Sequence, residues 1–235
     1  MRVLAALFFF APASAEAVTC TDLTYEGLSY THCEVSDPSK IDLHLRDPEG
    51  DIIGTFRRLE TLQGSTAFAM NAGMYHADRD PVGHYVENGK EEMRVIPNAG
   101  PGNFGLLPNG IFCVMEDSAH VIETLAYQAA RPACVHATQS GPMLVIDGAL
   151  HPRFLPDSTF RNVRNGVGTS ADGKTVHFVI SNDSVTFHEM ATFFRDHLKT
   201  PNALYFDGRV SKLHAPALGR SDIGQTMGPI LSVKE

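Results

Sequence analysis

Residues 175–213 read TVHFVISNDSVTFHEMATFFRDHLKTPNALYFDGRVSKL. Val176 to Ile180 is an apolar run of strand length, and Asn202 to Phe206 is another. Between them Phe187, Met190, Ala191, Phe194 and Leu198 recur at helical spacing, which predicts a helix over 187–198. Thr186 and Glu189 form a T-x-x-E capping box before it, and Pro201 stands just past its end. An acidic residue follows each strand, Asp183 and Asp207. If the strands are parallel neighbours, both carboxylates lie on one rim of a sheet, where open α/β sheets bind ligands. Strand spacing of about 4.8 Å then brings them toward the roughly 5–9 Å separation that glycosidases use.

Each acid also has a plainer explanation. Asp207-Gly208 is a turn dipeptide, and Ser181-Asn182-Asp183-Ser184 can simply lead into the helix cap. Glu189 is accounted for by the capping box alone.

Outward from this segment the chain is strand-rich. Residues 25–58 alternate apolar and polar in the manner of strands, most clearly at Ile41-Asp42-Leu43-His44-Leu45. Residues 66–70 form a buried strand entering a tight turn at Asn71-Ala72-Gly73. Residues 74–108 are loop-rich, and long irregular stretches inside a compact domain are usually functional. Further strands are expected at 110–115, 135–138, 143–146 and 166–169, with a hairpin turn at Asp147-Gly148. One helix among many strands predicts an α+β domain with a strand-rich mixed sheet and at least one β-α-β crossover.

The 235 residues suffice for one core, and their 43% hydrophobic and 20% charged content is that of a globular protein. A formal charge of −8 argues against broad nucleic-acid binding, which needs a basic face. MRVLAALFFFAPASA at the start has one basic residue, an apolar run and Ala13-Ser14-Ala15. It reads as a signal peptide over 1–15, cleaved before Glu16, leaving a single domain over 16–235. The apolar run is too short to span a bilayer, so the mature protein is expected to be periplasmic or secreted, without a stable membrane span. Cys20, Cys33, Cys113 and Cys134 suit an oxidising compartment. Nearest-neighbour pairing, Cys20–Cys33 and Cys113–Cys134, is one of three connectivities, and structural disulfides are the preferred reading.

Arg153, Arg161 and Arg164 cluster within twelve residues of an otherwise acidic chain, and arginine grips phosphate bidentately. Asn165-Gly166 is also a turn signal. Ser140-Gly141 lacks the G-x-S-x-G frame of a nucleophile elbow. The sequence requires no cofactor. A divalent metal enters only as an option at His76, Asp78 and Asp80, whose pattern is not that of an EF-hand.

Several segments in order resemble the phosphodiester glycosidase family: Ala69-Met70-Asn71-Ala72-Gly73-Met74-Tyr75, Pro81-Val82-Gly83 with Asn88-Gly89, and Pro108-Asn109-Gly110-Ile111-Phe112. Gln139-Ser140-Gly141-Pro142-Met143-Leu144-Val145 with Asp147-Gly148, Arg164-Asn165-Gly166-Val167-Gly168, and Asn202-Ala203-Leu204-Tyr205-Phe206-Asp207-Gly208 with Ser211 complete the series. The resemblance covers roughly residues 66–213 and looks closest to short single-domain bacterial members. It implies an α+β fold and a substrate in which an anomeric carbon is linked through phosphate to a second group. It further implies that Asn71 and Gly73 line the pocket, Arg164 holds phosphate, and Asp183, Glu189 and Asp207 surround the anomeric centre. Ser140, Gly141, Asn165, Asn182, Gly208 and Ser211 fall in the matching segments as further substrate-binding positions. One departure is visible: the family often follows the aspartate with glycines and serine, whereas Gly208 is followed here by Arg209 and Val210.

A sugar phosphate is a good leaving group and demands less of a general acid than an ordinary glycoside; arginine stabilises charge on the departing phosphate, and a carboxylate activates water or attacks the anomeric carbon. The leading expectation is an exported hydrolase of sugar-1-phosphodiesters. A non-catalytic envelope module that binds phosphorylated glycans is the alternative from another class, and a metal-dependent phosphodiesterase is the third.

Overall fold

The structure, a computed structural model, describes residues 17–207 and 209–235. The expected signal peptide and Gly208 lie outside the described residues. In chain order the first elements are β1 (Val18–Tyr25), β2 (Leu28–Val35), β3 (Ile41–His44), α1 (Phe56–Gln63) and β4 (Thr66–Asn71). Then come β5 (Tyr85–Glu87), β6 (Lys90–Met93), β7 (Gly110–Val114), β8 (Ala119–Glu123), α2 (Thr124–Ala130) and β9 (His136–Ser140). The chain continues through β10 (Met143–Ile146), β11 (Ala149–Leu150), β12 (Asn165–Thr169), β13 (Val176–Ser181) and α3 (Phe187–Thr192). It ends with β14 (Asn202–Asp207), β15 (Leu213–Ala215), β16 (Arg220–Ser221) and β17 (Ile230–Lys234).

These strands make three antiparallel sheets, ordered β1-β2-β13-β12-β14-β10-β11, β16-β15-β4-β17-β3 and β6-β5-β9-β7-β8. Their inner faces share one core. Phe178 on β13 lies 5.1 Å from Phe68 on β4 and 5.8 Å from Phe112 on β7, ring centre to ring centre, so one aromatic cluster ties all three sheets together. Deleting any of these buried rings would cost about 3–5 kcal/mol. Each sheet also has an outer apolar patch with a helix on it. Phe56 and Leu59 of α1 pack beside Ala69 and Ile230, and Tyr127 of α2 beside Ile111 and Ala137. Met190 and Ala191 of α3 pack beside Val179 and Tyr205.

The α+β class stands, with two corrections: in place of one mixed sheet the described residues form three sheets whose pairings are all antiparallel, and the crossover strands are not neighbours. β13 and β14 both run antiparallel to β12, so they point the same way, but β12 lies between them. They are therefore not neighbours, and their axes are about 10 Å apart rather than about 5 Å. The capping box forms as expected: Thr186 accepts from the Glu189 N–H, and Glu189 accepts from the Thr186 N–H. The α-helix is shorter than its apolar periodicity suggests, because the chain widens into a π-turn over Phe193–His197.

The strand pattern over 25–58 ends earlier than expected, since Arg57 and Arg58 belong to α1. Thr55 starts that helix by accepting from the Arg58 N–H. The helix α2 was not expected at all. Glu123 initiates it by accepting from the N–H groups of Leu125 and Ala126. Both disulfides follow the nearest-neighbour pairing, Cys20–Cys33 across the β1–β2 ladder and Cys113–Cys134. Among the described residues no helix is long and apolar enough to cross a membrane.

Candidate active site

The rim where β12 and β14 meet β4 is organised by two asparagines, both fully buried. Asn165 opens β12 and Asn71 closes β4, so they stand at facing ends of two sheets. The Asn165 Nδ2 donates to Asn71 Oδ1 at 3.0 Å and to the Asn71 carbonyl at 3.2 Å. Asn71 Oδ1 also accepts from the Lys212 N–H at 2.8 Å. Asn165 Oδ1 accepts from the Asp207 N–H at 3.1 Å and from Ser211 Oγ at 3.4 Å. Ser211 donates also to the Asp207 carbonyl. A buried amide earns its place only when its donors and acceptors are satisfied, and this network fixes the backbone on both sides of Asp207.

Asp207 lines a cavity of about 740 Å³ with Met74, Tyr75, His76, Arg79, Asn103 and Arg209. That volume falls in the range of small-molecule sites. Asp207 Oδ1 accepts from the Arg209 N–H at 2.9 Å, which aims the carboxylate along the turn. Burial, with the Asp207 charge adding to it, pushes the Tyr75 phenol up to about 12. Burial likewise raises the Tyr205 phenol; Asp207 adds to the rise and Arg164 opposes it. Both phenols are thus neutral hydrogen-bond donors at physiological pH. A larger depression of about 1320 Å³ lies outside the β5–β9 sheet, lined by His84, Arg94, Tyr127 and Arg131 among others. It contains none of the expected catalytic or substrate-binding residues. We therefore place the site by its chemistry rather than by volume.

The other expected residues divide. Gly73, at φ +104°, packs so closely that a Cβ would meet Thr138 Oγ1 at 2.7 Å, and it delivers Met74 and Tyr75 to the cavity. Ser140 is buried and donates to the Phe206 carbonyl at 2.9 Å, bracing the strand that carries Asp207. Gly141 is equally confined, with Asn109 Cβ 2.7 Å from where its own Cβ would be. These positions support the wall of the site and do not face its interior.

Arg164 is fully buried. Its Nε donates to the Val185 carbonyl at 2.9 Å and its Nη2 to the Phe160 carbonyl at 3.2 Å, while Nη1 makes no hydrogen bond. The guanidinium lies 3.7 Å from the Phe187 ring centre and 5.5 Å from that of Tyr205. Burial lowers its pKa, and Tyr205 opposes that shift. It does not line the cavity, whose arginines are Arg79 and Arg209.

Asp183 and Glu189 do not line the cavity. Asp183 is exposed and accepts from the Ser29 N–H at 2.8 Å, facing the β1–β2 hairpin. Asn182 faces Thr31 and Arg220, accepting from Arg220 Nη1 at 2.7 Å. Glu189 is ion-paired with Arg161 at 2.8 Å. Burial alone would raise its carboxyl, but the Thr186 N–H and Arg161 outweigh it and hold it below its ordinary value. Asp183 and Asp207 are thus not on neighbouring strands, since β12 separates them, and Asp183 faces the hairpin.

In the 74–108 loop, Asp80 pairs with Arg46 and Asp78 accepts from the Asp80 N–H. The loop's His76, Asp78 and Asp80 do not gather as a set of three ligands. Tyr75, Arg79, Asn103 and Tyr205 were not singled out from sequence. Tyr75 and Tyr205 lie inside two of the motifs, which was the available signal.

Comparison with known proteins shows the family and the fold. A phosphodiester glycosidase family model matches residues 64–214. A protein of Escherichia coli (strain K12), named "Uncharacterized protein YigE", is 30% identical over 198 residues, 77% of each chain. The fold is similar to that of the zebrafish N-acetylglucosamine-1-phosphodiester alpha-N-acetylglucosaminidase catalytic domain, auto-inhibited by its pro-peptide. That match has a TM-score of 0.64 at 14% identity, covering 93% of this chain and 82% of the other. At such identity the likeness speaks for the fold alone, while the family match spans more than half of the chain and includes both ends of the asparagine network. The chain belongs to the phosphodiester glycosidase family.

Proposed function

We propose that the protein is an exported hydrolase that cleaves sugar-1-phosphodiesters in the Asp207 cavity. The observation that carries this reading is the Asp207 carboxylate, on a backbone fixed by the buried Asn71–Asn165 network, in a cavity that also presents two arginines. Family membership supplies the substrate class, and two disulfides suit an exported protein.

In this reading Arg79 and Arg209 bind the phosphate, and Arg164 acts from behind by orienting Tyr205. Asp207 accepts a proton from a water as that water attacks the anomeric carbon. The bond between the anomeric carbon and the bridging oxygen breaks, and its electron pair leaves with the phosphate. The products are the free sugar and a phosphate monoester. The leaving group is already anionic, so the arginines supply most of the stabilisation and a strong general acid is not needed. Asp183 and Glu189 order the hairpin and the helix start next to the site.

The test is hydrolysis of a panel of sugar-1-phosphodiesters in ¹⁸O-water. The expected result is label in the released sugar and none in the phosphate monoester. Label in the phosphate would overturn attack at carbon. Binding without turnover across the panel would favour a glycan-binding module, and loss of turnover on chelation a metal-dependent phosphodiesterase.

A further inference from the structure

The outward face of the first sheet carries a second group of reactive side chains, well away from the Asp207 cavity. In the β2–β13 ladder His177 stands opposite Glu34, and Val179 opposite His32. Side chains two apart on a strand share a face, so His32 and Glu34 lie on the same side, with His177 beside both. His32 Nε2 is 3.0 Å from His177 Nδ1. Glu34 Oε2 is 3.7 Å from that same His177 nitrogen. The three ligating atoms all lie within 4.8 Å of one another.

We propose that His32, Glu34 and His177 form a binding site for a divalent transition-metal ion, zinc in the first instance. Zinc holds histidine nitrogen and carboxylate oxygen at about 2.0–2.2 Å, which in a tetrahedron spaces the donors about 3.3 Å apart. The separations of 3.0 and 3.7 Å bracket that value. Two imidazoles and a carboxylate also suit zinc better than calcium or magnesium, which prefer all-oxygen sites.

The site is built on rigid elements. Both strands are interior to the sheet, and Cys33, between His32 and Glu34, is disulfide-bonded to Cys20 on β1. That cross-link limits the freedom the ligands lose on binding. The site is also open: the Glu34 side chain is 48% exposed, which leaves room for water as a fourth ligand. Without an ion the two imidazoles share a hydrogen bond across the same gap.

His177 is four residues before Ser181 on β13, about 13 Å along the strand from the rim that carries the cavity. The ion therefore stabilises the β2–β13 pair and takes no part in hydrolysis, so failure of either proposal leaves the other standing.

Zinc titration of the metal-stripped mature protein by calorimetry tests the site, with cobalt(II) absorption as a second readout. One ion per chain is expected, with the intense visible bands of four-coordinate cobalt. Loss of a supporting partner typically costs about 10–100-fold in metal affinity, so His177→Ala should cost at least that. Glu34→Gln, at an exposed position, should fold normally and weaken binding about tenfold. Zinc should raise the Tm of the wild type and leave that of His177→Ala unchanged. No stoichiometric binding by the wild type, or binding by both variants as tight as the wild type's, overturns the proposal.

Discussion

Two strand ends with the same sequence signature have different surroundings. β13 and β14 point the same way in one sheet; β14 ends in Asp207, and Asp183 stands two residues past the end of β13. Asp207 emerges beside a buried pair of amides and faces a cavity with Arg79 and Arg209. Asp183 is exposed and spends its carboxylate on the Ser29 N–H of the neighbouring hairpin. The lesson is that a carboxylate at a strand end becomes a candidate for chemistry through what is buried behind it. The β14 end has a fully buried amide pair behind it, whereas Asn182 beside Asp183 is exposed and bonds to Thr31 and Arg220.

That contrast can be broken most directly at Asp207. Asp207→Asn should lower kcat on a sugar-1-phosphodiester by about a hundred- to ten-thousand-fold, the usual worth of a general base, with the Tm little changed. A loss under tenfold would remove Asp207 from the chemistry.

Acid stability must be known before pH–rate profiles of the two ends are compared. Burial first, then the charges of His136 and Lys234, lower the His44 pKa to about 4, with Asp42 partly opposing. An unfolded histidine titrates near 6.5, so the unfolded chain takes up this proton first as the pH falls. Stability is therefore full above about pH 6.5 and is lost down to about pH 4, by about 3 kcal/mol at most. Denaturant melts across this window should show that slope in the wild type and a flatter one in His44→Gln.

Removing the support at the β14 end has a smaller effect. Asn165→Ala leaves the Asp207 N–H and the Asn71 amide short of partners, at about 1–3 kcal/mol by chemical denaturation. Because Asp207 loses its anchor as well, kcat should fall even under conditions where the variant is fully folded.

The β13 side should respond in stability alone. Glu189→Ala loses the capping-box bond and the Arg161 pair, for about 1 kcal/mol at neutral pH. The folded carboxyl titrates below its ordinary value, so this contribution is present above about pH 4.3 and fades as the pH falls further. Melts of the variant and the wild type should converge there. Asp183→Asn should change stability by less than about 0.5 kcal/mol and leave turnover within twofold or so. A large activity loss in either variant would erase the distinction between the two ends.

Residues 175–213 were legible because their signals are local: two apolar runs, a helical period, a capping box and acidic ends. The strand between β13 and β14 was not legible as their separator. Residues 165–169 read as a strand, but nothing in NGVGT says which neighbours it takes. The Asn71–Asn165 contact joins positions 94 residues apart, each of which reads locally as a turn residue. Complete burial of Arg164 had no local signal, because arginines are ordinarily solvated. The helices α1 and α2 are too short to display a full apolar period, and only their caps mark them.

The placement of β12 between β13 and β14 also orders events in time. β12 and β13 pair across the short turn over 170–175, a contact that costs little chain entropy to close. β14 reaches the far side of β12 only after the chain has run through α3, and local pairings generally form before distant ones. Asn165 is therefore held in the hairpin before Asp207 arrives to meet it. During refolding, sheet content should appear ahead of hydrolysis, because the proposed site is incomplete until β14 has docked beside β12.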